Sequence, residues 1–311
     1  MKNRFAVFVW IAVLASAFAA CRSNFEDPSE GQAARNAQEI NDYLIASGLV
    51  ANIQTTSSGL TYVLSAPGSS TVTPRAGEEA EFSYRLYWLD NGRLRVADTS
   101  SMAKPVRLPY GANVMIPGLE ESLSLLRVGQ RGLFFMPNNL AYGGRPNTGT
   151  GEAGSPVSPV PPYSAVAFDL TLLRLRDEGT QILEYAQATS LSSAPTFQTT
   201  NGIVIYRTTT GTGPAITASQ RVTLSLSGRT LRSTTPFDRR DSITVRIGGG
   251  ELIAGLDSAA RRLRVGDRAL VLIPSGSAYG TQGTSDRTSG AYVVPPFAPV
   301  AYELQIIASR N

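Results

Sequence analysis

Met115-Ile116-Pro117-Gly118-Leu119-Glu120-Glu121 decides the fold of this chain, because its centre returns. Ile116-Pro117-Gly118-Leu119 reappears 137 residues later as Ile253-Ala254-Gly255-Leu256. The same offset carries Val128-Gly129-Gln130-Arg131 onto Val265-Gly266-Asp267-Arg268, and Ala141-Tyr142-Gly143 onto Ala278-Tyr279-Gly280. Pro161-Pro162 matches Pro295-Pro296, and Ile40-Asn41-Asp42-Tyr43 resembles Ile182-Leu183-Glu184-Tyr185. Several ordered matches at one offset make a repeat, and a period this long is a whole domain rather than a solenoid unit.

Outward from the repeated stretch, each copy reads as strands around one short helix. Val166, Phe168, Leu170 and Leu172 alternate with small, polar or acidic neighbours, as do Phe82, Tyr84 and Leu86, which is the period of half-buried strands. Asn91-Gly92 supplies a hairpin turn after the second of these runs. Pro117-Gly118 opens a short helix expected over 119–127, and Glu120-Glu121 reads as its solvated first turn, favoured by the helix dipole. A second helix is expected over 30–47, from Ala33, Ala37, Ile40, Tyr43 and Leu44, with Ser29 as N-cap and Gly48 as terminator. One apolar stripe on it predicts packing against the domain that follows. Residues 143–162 form a long loop rich in Gly, Pro, Ser and Thr, a length that is usually functional or disordered.

Composition removes whole classes of chemistry. The 311 residues include no His and one Cys. That excludes Ser-His-Asp and Cys-His nucleophilic sites, His- or Cys-based zinc sites, and an intramolecular disulfide. A 42% hydrophobic content suffices for real cores. The net charge of +4 rests on arginines scattered along the chain, as on a solvated surface, so no nucleic-acid partner is expected. No metal and no cofactor are expected either.

The ordered set Met115-Ile116-Pro117-Gly118-Leu119-Glu120-Glu121, Val128-Gly129, Leu140-Ala141-Tyr142-Gly143, Val160-Pro161-Pro162 and Phe168-Asp169-Leu170 resembles the FK506-binding protein (FKBP) family of peptidyl-prolyl isomerases. The resemblance covers residues 58–175 and 201–308. It implies an α+β fold of two FKBP-like domains, each a bent antiparallel sheet wrapped around a short helix, with a pocket between helix and sheet. The expected organisation is 1–20 signal peptide, 21–50 tether and N-terminal helix, 51–176 first domain, 177–197 helical linker and 198–311 second domain.

The resemblance implies prolyl isomerase activity on proline-containing polypeptides. In the first domain it assigns Tyr84, Asp98, Ile116, Tyr142 and Phe168 to the catalytic site, with Met115, Leu119 and Val160 lining the pocket. Ile116 would offer its backbone N–H to the carbonyl before the proline, Tyr142 its hydroxyl to a substrate carbonyl, and Asp98 would stand at the rim. In the second domain the matching set is Phe237, Asp238, Ile253, Tyr279 and Tyr302, with Leu252, Leu256, Val293 and Val294 as wall. Leu119 stands where many members have Trp. Ala97 and Val106 replace Phe in the first copy; Leu226 and Ile243 stand in the second where Tyr84 and a common Phe would be. By this reading neither pocket holds the full aromatic set, and Ala97 leaves room for water. An FKBP-like chaperone or peptide-binding module without turnover is the alternative.

Lys2 and Arg4 precede an apolar run, Phe5 to Ala20, that is short for a membrane span and has the layout of a secretion signal. Its end, Phe18-Ala19-Ala20-Cys21, resembles the lipobox of bacterial lipoproteins, which implies an acylated Cys21 and a membrane anchor. Arg22, rather than Asp, follows, so the expected place is the outer membrane, facing the periplasm.

Overall fold

The computed structural model describes residues 29–66, 70–147, 159–189 and 194–310. The expected signal segment, Cys21 and most of the long loop 143–162 lie outside the described residues.

The first copy contains α1 (Gln32–Ala46), β1 (Gln54–Thr55), β2 (Thr61–Leu64), β3 (Glu79–Asp90), β4 (Arg93–Thr99), β5 (Val106–Pro109), α2 (Pro117–Ser124), β6 (Arg131–Met136) and β7 (Val166–Arg176). The second contains α3 (Glu178–Ala188), β8 (Phe197–Gln198), β9 (Val204–Thr209), β10 (Arg221–Thr230), β11 (Asp238–Arg246), α4 (Ala254–Ala260), β12 (Arg268–Ile273), β13 (Thr284–Ser285), β14 (Tyr292–Val294) and β15 (Val300–Arg310).

The sheets are antiparallel and share one order. The first runs β4-β3-β7-β6-β2-β1, with β5 also on β3; the second runs β11-β10-β15-β12-β9-β8. Bulges at Glu81/Phe82 and Leu86/Tyr87 interrupt the register of β3, and one at Leu224/Leu226 that of β10. Bulges add twist and bend a strand, which curls each sheet around its helix. The concave face of the first sheet packs Phe82, Leu86, Phe134 and Leu170 against Leu123 of α2. The second packs Val222, Leu224, Val271 and Leu304 against Leu256, Ala259 and Ala260 of α4.

Local chemistry explains both short helices. Ile116 and Ile253 are N-caps in extended conformation, and the first helix begins on Pro117, whose fixed φ suits the first turn. The helix expected over 119–127 therefore starts two residues earlier and ends by Ser124. In the first turn of α2, Glu120 Oε1 accepts from Gly111 N–H at 2.7 Å. Asp257 does the same for Gly248 at 2.8 Å. Each first-turn carboxylate thus fastens its helix to the loop before it.

The convex faces are covered too. Ile40 and Leu44 of α1 pack on Leu89, Phe135, Ala165 and Ala167. This is why β7 buries Ala167 as well as Val166 and Phe168. The expected packing of α1 is observed, but its cap differs: the helix spans Gln32–Ala46 behind Gly31 in the left-handed region, and Ser29 is not its N-cap. Likewise α3 packs Ile182 and Ala186 on Val204, Tyr206, Leu272 and Ala301. Within the stretch expected as a helical linker over 177–197, the helix spans Glu178–Ala188 and β8 begins at Phe197. It stands to the second sheet as α1 stands to the first. Asp177 caps it, its side chain accepting from Thr180 N–H at 2.7 Å.

The copies are joined by polar contacts as well as by chain. Arg232 makes a two-pronged pair with Glu79, and the buried Arg176 contacts Glu79, Glu81 and Glu184. The Phe297 ring rests against Gly77, where an added Cβ would come within 3.1 Å of it. A cleft of ≈ 460 Å³ lies beside this junction, between Leu108-Pro109 and Pro295-Pro296.

Candidate functional site

In the first copy, Tyr84 on β3 and Phe168 on β7 stand with their rings 5.7 Å apart at 55°. Tyr84 donates its hydroxyl to Asp98 Oδ2 at 2.7 Å. Asp98, at the end of β4, also accepts from Thr99 N–H at 2.7 Å. Two donors hold the carboxylate in one orientation beside the rings. Met115, Ile116 and Tyr142 pack on this cluster, with Leu119 and Val160 buried in it. Every first-copy residue expected at the site is therefore brought together.

The donors have distinct origins. Tyr142 follows a tight turn, Asn138–Leu140, whose Asn138 N–H is accepted by the buried Asn36 side chain of α1 at 3.0 Å. Its phenol bonds to Asn147 and is pushed up to about 12, chiefly by burial. Burial and the Asp98 hydrogen bond raise the Tyr84 phenol too. Both therefore keep their protons, as hydrogen-bond donors must. Among the described residues no group takes the backbone N–H of Ile116 or of Ile253, so each N-cap has a donor to offer.

Ala97 is only 2% exposed. The expectation that it leaves room for water is therefore corrected: neighbouring core closes over the smaller side chain.

The second copy builds its cluster from different positions. Phe237 stands edge-on to Tyr279 (5.6 Å, 80°) and to Tyr302 (5.9 Å, 89°). The Tyr279 and Tyr302 hydroxyls lie 2.8 Å apart, and Tyr302 reaches Asp238 Oδ2 at 3.4 Å. Asp238 also pairs through Oδ1 with Arg240 Nε at 3.1 Å. Burial raises both phenols above the ordinary tyrosine value, Tyr302 the further. Leu252 and Ile253 pack against the cluster, with Leu256 and Val294 buried in it.

Of the two valines expected as wall, Val293 is 38% exposed and Val294 is fully buried in the core. The second site has a tyrosine near its carboxylate from another position. Leu226 takes the Tyr84 position, but Tyr302 approaches Asp238 from the opposite strand.

Sequence reasoning missed Arg240, Asn36 and its counterpart Glu178. The last accepts from both N–H and Oγ of Ser275, in the turn before Tyr279. The signal was present in the repeated helix: Asn36 and Glu178 precede Ile40 and Ile182 by the same four residues.

Two bent antiparallel sheets, each folded over a short helix whose N-cap borders an aromatic cluster, define a tandem of FKBP-like domains. A model of the FKBP-type peptidyl-prolyl cis-trans isomerase family matches residues 70–173 and 213–307, and the chain belongs to that family. It is 36% identical over 126 residues to a Trypanosoma cruzi protein called macrophage infectivity potentiator, covering 39% of this chain and 56% of that one. It is 27% identical over 147 residues to the FKBP-type isomerase FkpA of Aeromonas hydrophila, covering 47% of this chain and 49% of that protein. The chain thus spans about half the length of these curated relatives. Among solved structures, the three FKBP domains of wheat FKBP73 align with 84% of this chain and 99% of that one, at 19% identity and a TM-score of 0.38.

Proposed function

We propose that this chain is a prolyl isomerase that turns X-Pro bonds of exported proteins in the cell envelope. The carrying observation is the Ile116 N–H at the head of α2, unpartnered among the described residues and packed beside Tyr84, Tyr142 and Phe168. Amide resonance sets a barrier of about 18–20 kcal/mol to rotation. No covalent bond is made or broken, so neither a nucleophile nor a histidine is required. The twisted amide is less dipolar than the planar one, so a water-poor aromatic surface favours it. A main-chain donor holds the carbonyl before the proline while the bond turns.

The φ of Ile116 is −62° and that of Ile253 −61°, both within the range proline imposes. Ile116→Pro and Ile253→Pro thus delete the two donors while keeping that φ. In a protease-coupled assay with a proline peptide, the full mature chain should exceed the uncatalysed rate, and the double substitution should abolish the excess. An unmodified chain at the uncatalysed rate would sink the enzymatic reading and leave the chaperone one, tested by suppression of aggregation.

The envelope assignment rests on the sequence around Cys21. Acyl chains there would hold the protein to the membrane, facing the periplasm from the outer membrane. Cys21→Ala should move the protein to the soluble fraction and remove an acyl mass; an unchanged distribution and mass would exclude the anchor.

A further inference from the structure

Three positions change together between the two sites. The first copy has Tyr84, Leu86 and Phe168; the second has Leu226, Gly228 and Tyr302 at the same places in the ladder. Leu86 pairs with both Phe168 and Asp98, as Gly228 pairs with both Tyr302 and Asp238. The glycine is required. A Cβ on Gly228 would lie 2.4 Å from two carbons of the Tyr302 ring, a distance that side chains essentially never show. The space of one Leu side chain is thus given to a tyrosine ring from the opposite strand, where its hydroxyl reaches the site.

We propose that Tyr302 is the positioning residue of the second site: through its hydroxyl it orients the Tyr279 hydroxyl toward a substrate carbonyl, a task the first site performs without its β7 residue. This rests on the isomerase reading above. A phenol has one proton to give. If Tyr302 gives it to Tyr279, 2.8 Å away, the Tyr279 proton is left for substrate. The longer 3.4 Å arm to Asp238 is then dispensable, because Arg240 already neutralises that carboxylate. In the first copy Tyr84 is committed to Asp98 at 2.7 Å, and Tyr142 is bonded to Asn147 instead. The transposed tyrosine therefore does more than restore a lost contact. It gives Tyr279 a partner hydroxyl that Tyr142 finds in Asn147 instead, and so makes the two sites unequal in what they require.

The test uses the full mature chain with Ile116→Pro, so that turnover reports the second site. Tyr302→Phe keeps the ring and removes the hydroxyl. It should lower the second-site kcat/KM about tenfold, the cost of one neutral hydrogen bond made to a working donor. The fall should lie mainly in kcat. It should also shift the Tyr279 Cζ resonance in tyrosine-labelled chain. Leu226→Tyr/Gly228→Leu/Tyr302→Phe puts a tyrosine on Asp238 as in the first site but gives Tyr279 no orienting hydroxyl, and should stay as impaired as Tyr302→Phe to within about twofold. An unchanged kcat/KM and an unchanged Tyr279 resonance in Tyr302→Phe would overturn the proposal. So would a folded triple variant that recovers turnover, because Tyr302 would then act through Asp238. A parent chain inactive with Ile116→Pro would instead refute turnover at the second site, and the Tyr279 resonance would still decide whether Tyr302 orients it.

Discussion

Adding one methyl group to the repeated stretch should separate the two domains energetically. Gly118 and Gly255 are each the second residue of their helix. A Cβ on Gly118 would lie 2.5 Å from Met136 Sδ and 2.9 Å from the Leu140 carbonyl. On Gly255 it would lie 2.3 Å from Ile273 Cγ2 and 3.0 Å from the Ser277 carbonyl. Alanine gains up to about 1 kcal/mol over glycine from helix propensity, and overpacking costs about 1–3 kcal/mol. The neighbours decide the balance. Met136 is unbranched and can swing its sulfur aside. Ile273 is β-branched on a buried strand and cannot. Gly118→Ala should therefore cost about 1 kcal/mol, and Gly255→Ala about 2–3 kcal/mol. For domains of this size 1 kcal/mol moves Tm by roughly 4–8 °C. Trp88 on β3 is the only tryptophan among the described residues, so its fluorescence follows the first domain while far-ultraviolet circular dichroism follows both. Gly255→Ala should lower the transition that Trp88 does not report, and by more than Gly118→Ala lowers the Trp88 transition. A larger loss in Gly118→Ala, or none in Gly255→Ala, would refute the reasoning from side-chain stiffness.

Other expectations follow from single contacts. Asp177→Ala removes the cap of α3 and should cost about 1 kcal/mol in urea unfolding. The Thr180 bonds hold the Asp177 carboxyl below its usual value, so its stabilisation is present above the unfolded pKa and fades as pH falls through the folded one. Arg176, 4% exposed, bridges three carboxylates. Arg176→Met should cost about 3 kcal/mol, at the low end for a broken buried pair. Glu79 keeps Arg232, and Glu81 keeps Arg107. A change below the error of the urea midpoint would show the pair to be dispensable. The phenols of Tyr84, Tyr142, Tyr279 and Tyr302 all titrate above their unfolded value of 10.0. Their contribution to stability is complete below pH 10 and is lost as pH rises through the folded values. The urea midpoint should hold up to about pH 10 and fall beyond it, with phenolate absorbance appearing as the chain unfolds. A full tyrosine titration in the folded chain near pH 10 would contradict the burial of these rings.

The doubling of the chain and the gathering of the first copy's aromatic and carboxylate residues were legible in the sequence. A helix start such as Ile116-Pro117-Gly118 is set by neighbouring dihedral angles, and alternating strands by a period of two, so both are written locally. The packing of α1 was legible for the same reason, from its single apolar stripe. The exact cap was not, because Gly31 takes the left-handed conformation where Ser29 offers only a matching side chain. The burial of Ala97 and the exposure of Val293 depend on which residues cross from other strands, which no local pattern records.

Tyr302 marks the boundary most clearly. Its residue type and its place on a half-buried strand can be read from the chain alone, as can the absence of a tyrosine at Leu226. That these two facts compensate each other depends on the pairing of Tyr302 with Gly228, across 74 residues of chain. The sequence by itself determined that one domain is written twice and which residues of the first copy gather around the Tyr84–Phe168 pair. Only the tertiary structure decided from which strand the hydroxyl on each carboxylate comes. A hydroxyl is shared through space at hydrogen-bond distance, and the register between strands, not their spacing in the chain, sets that distance.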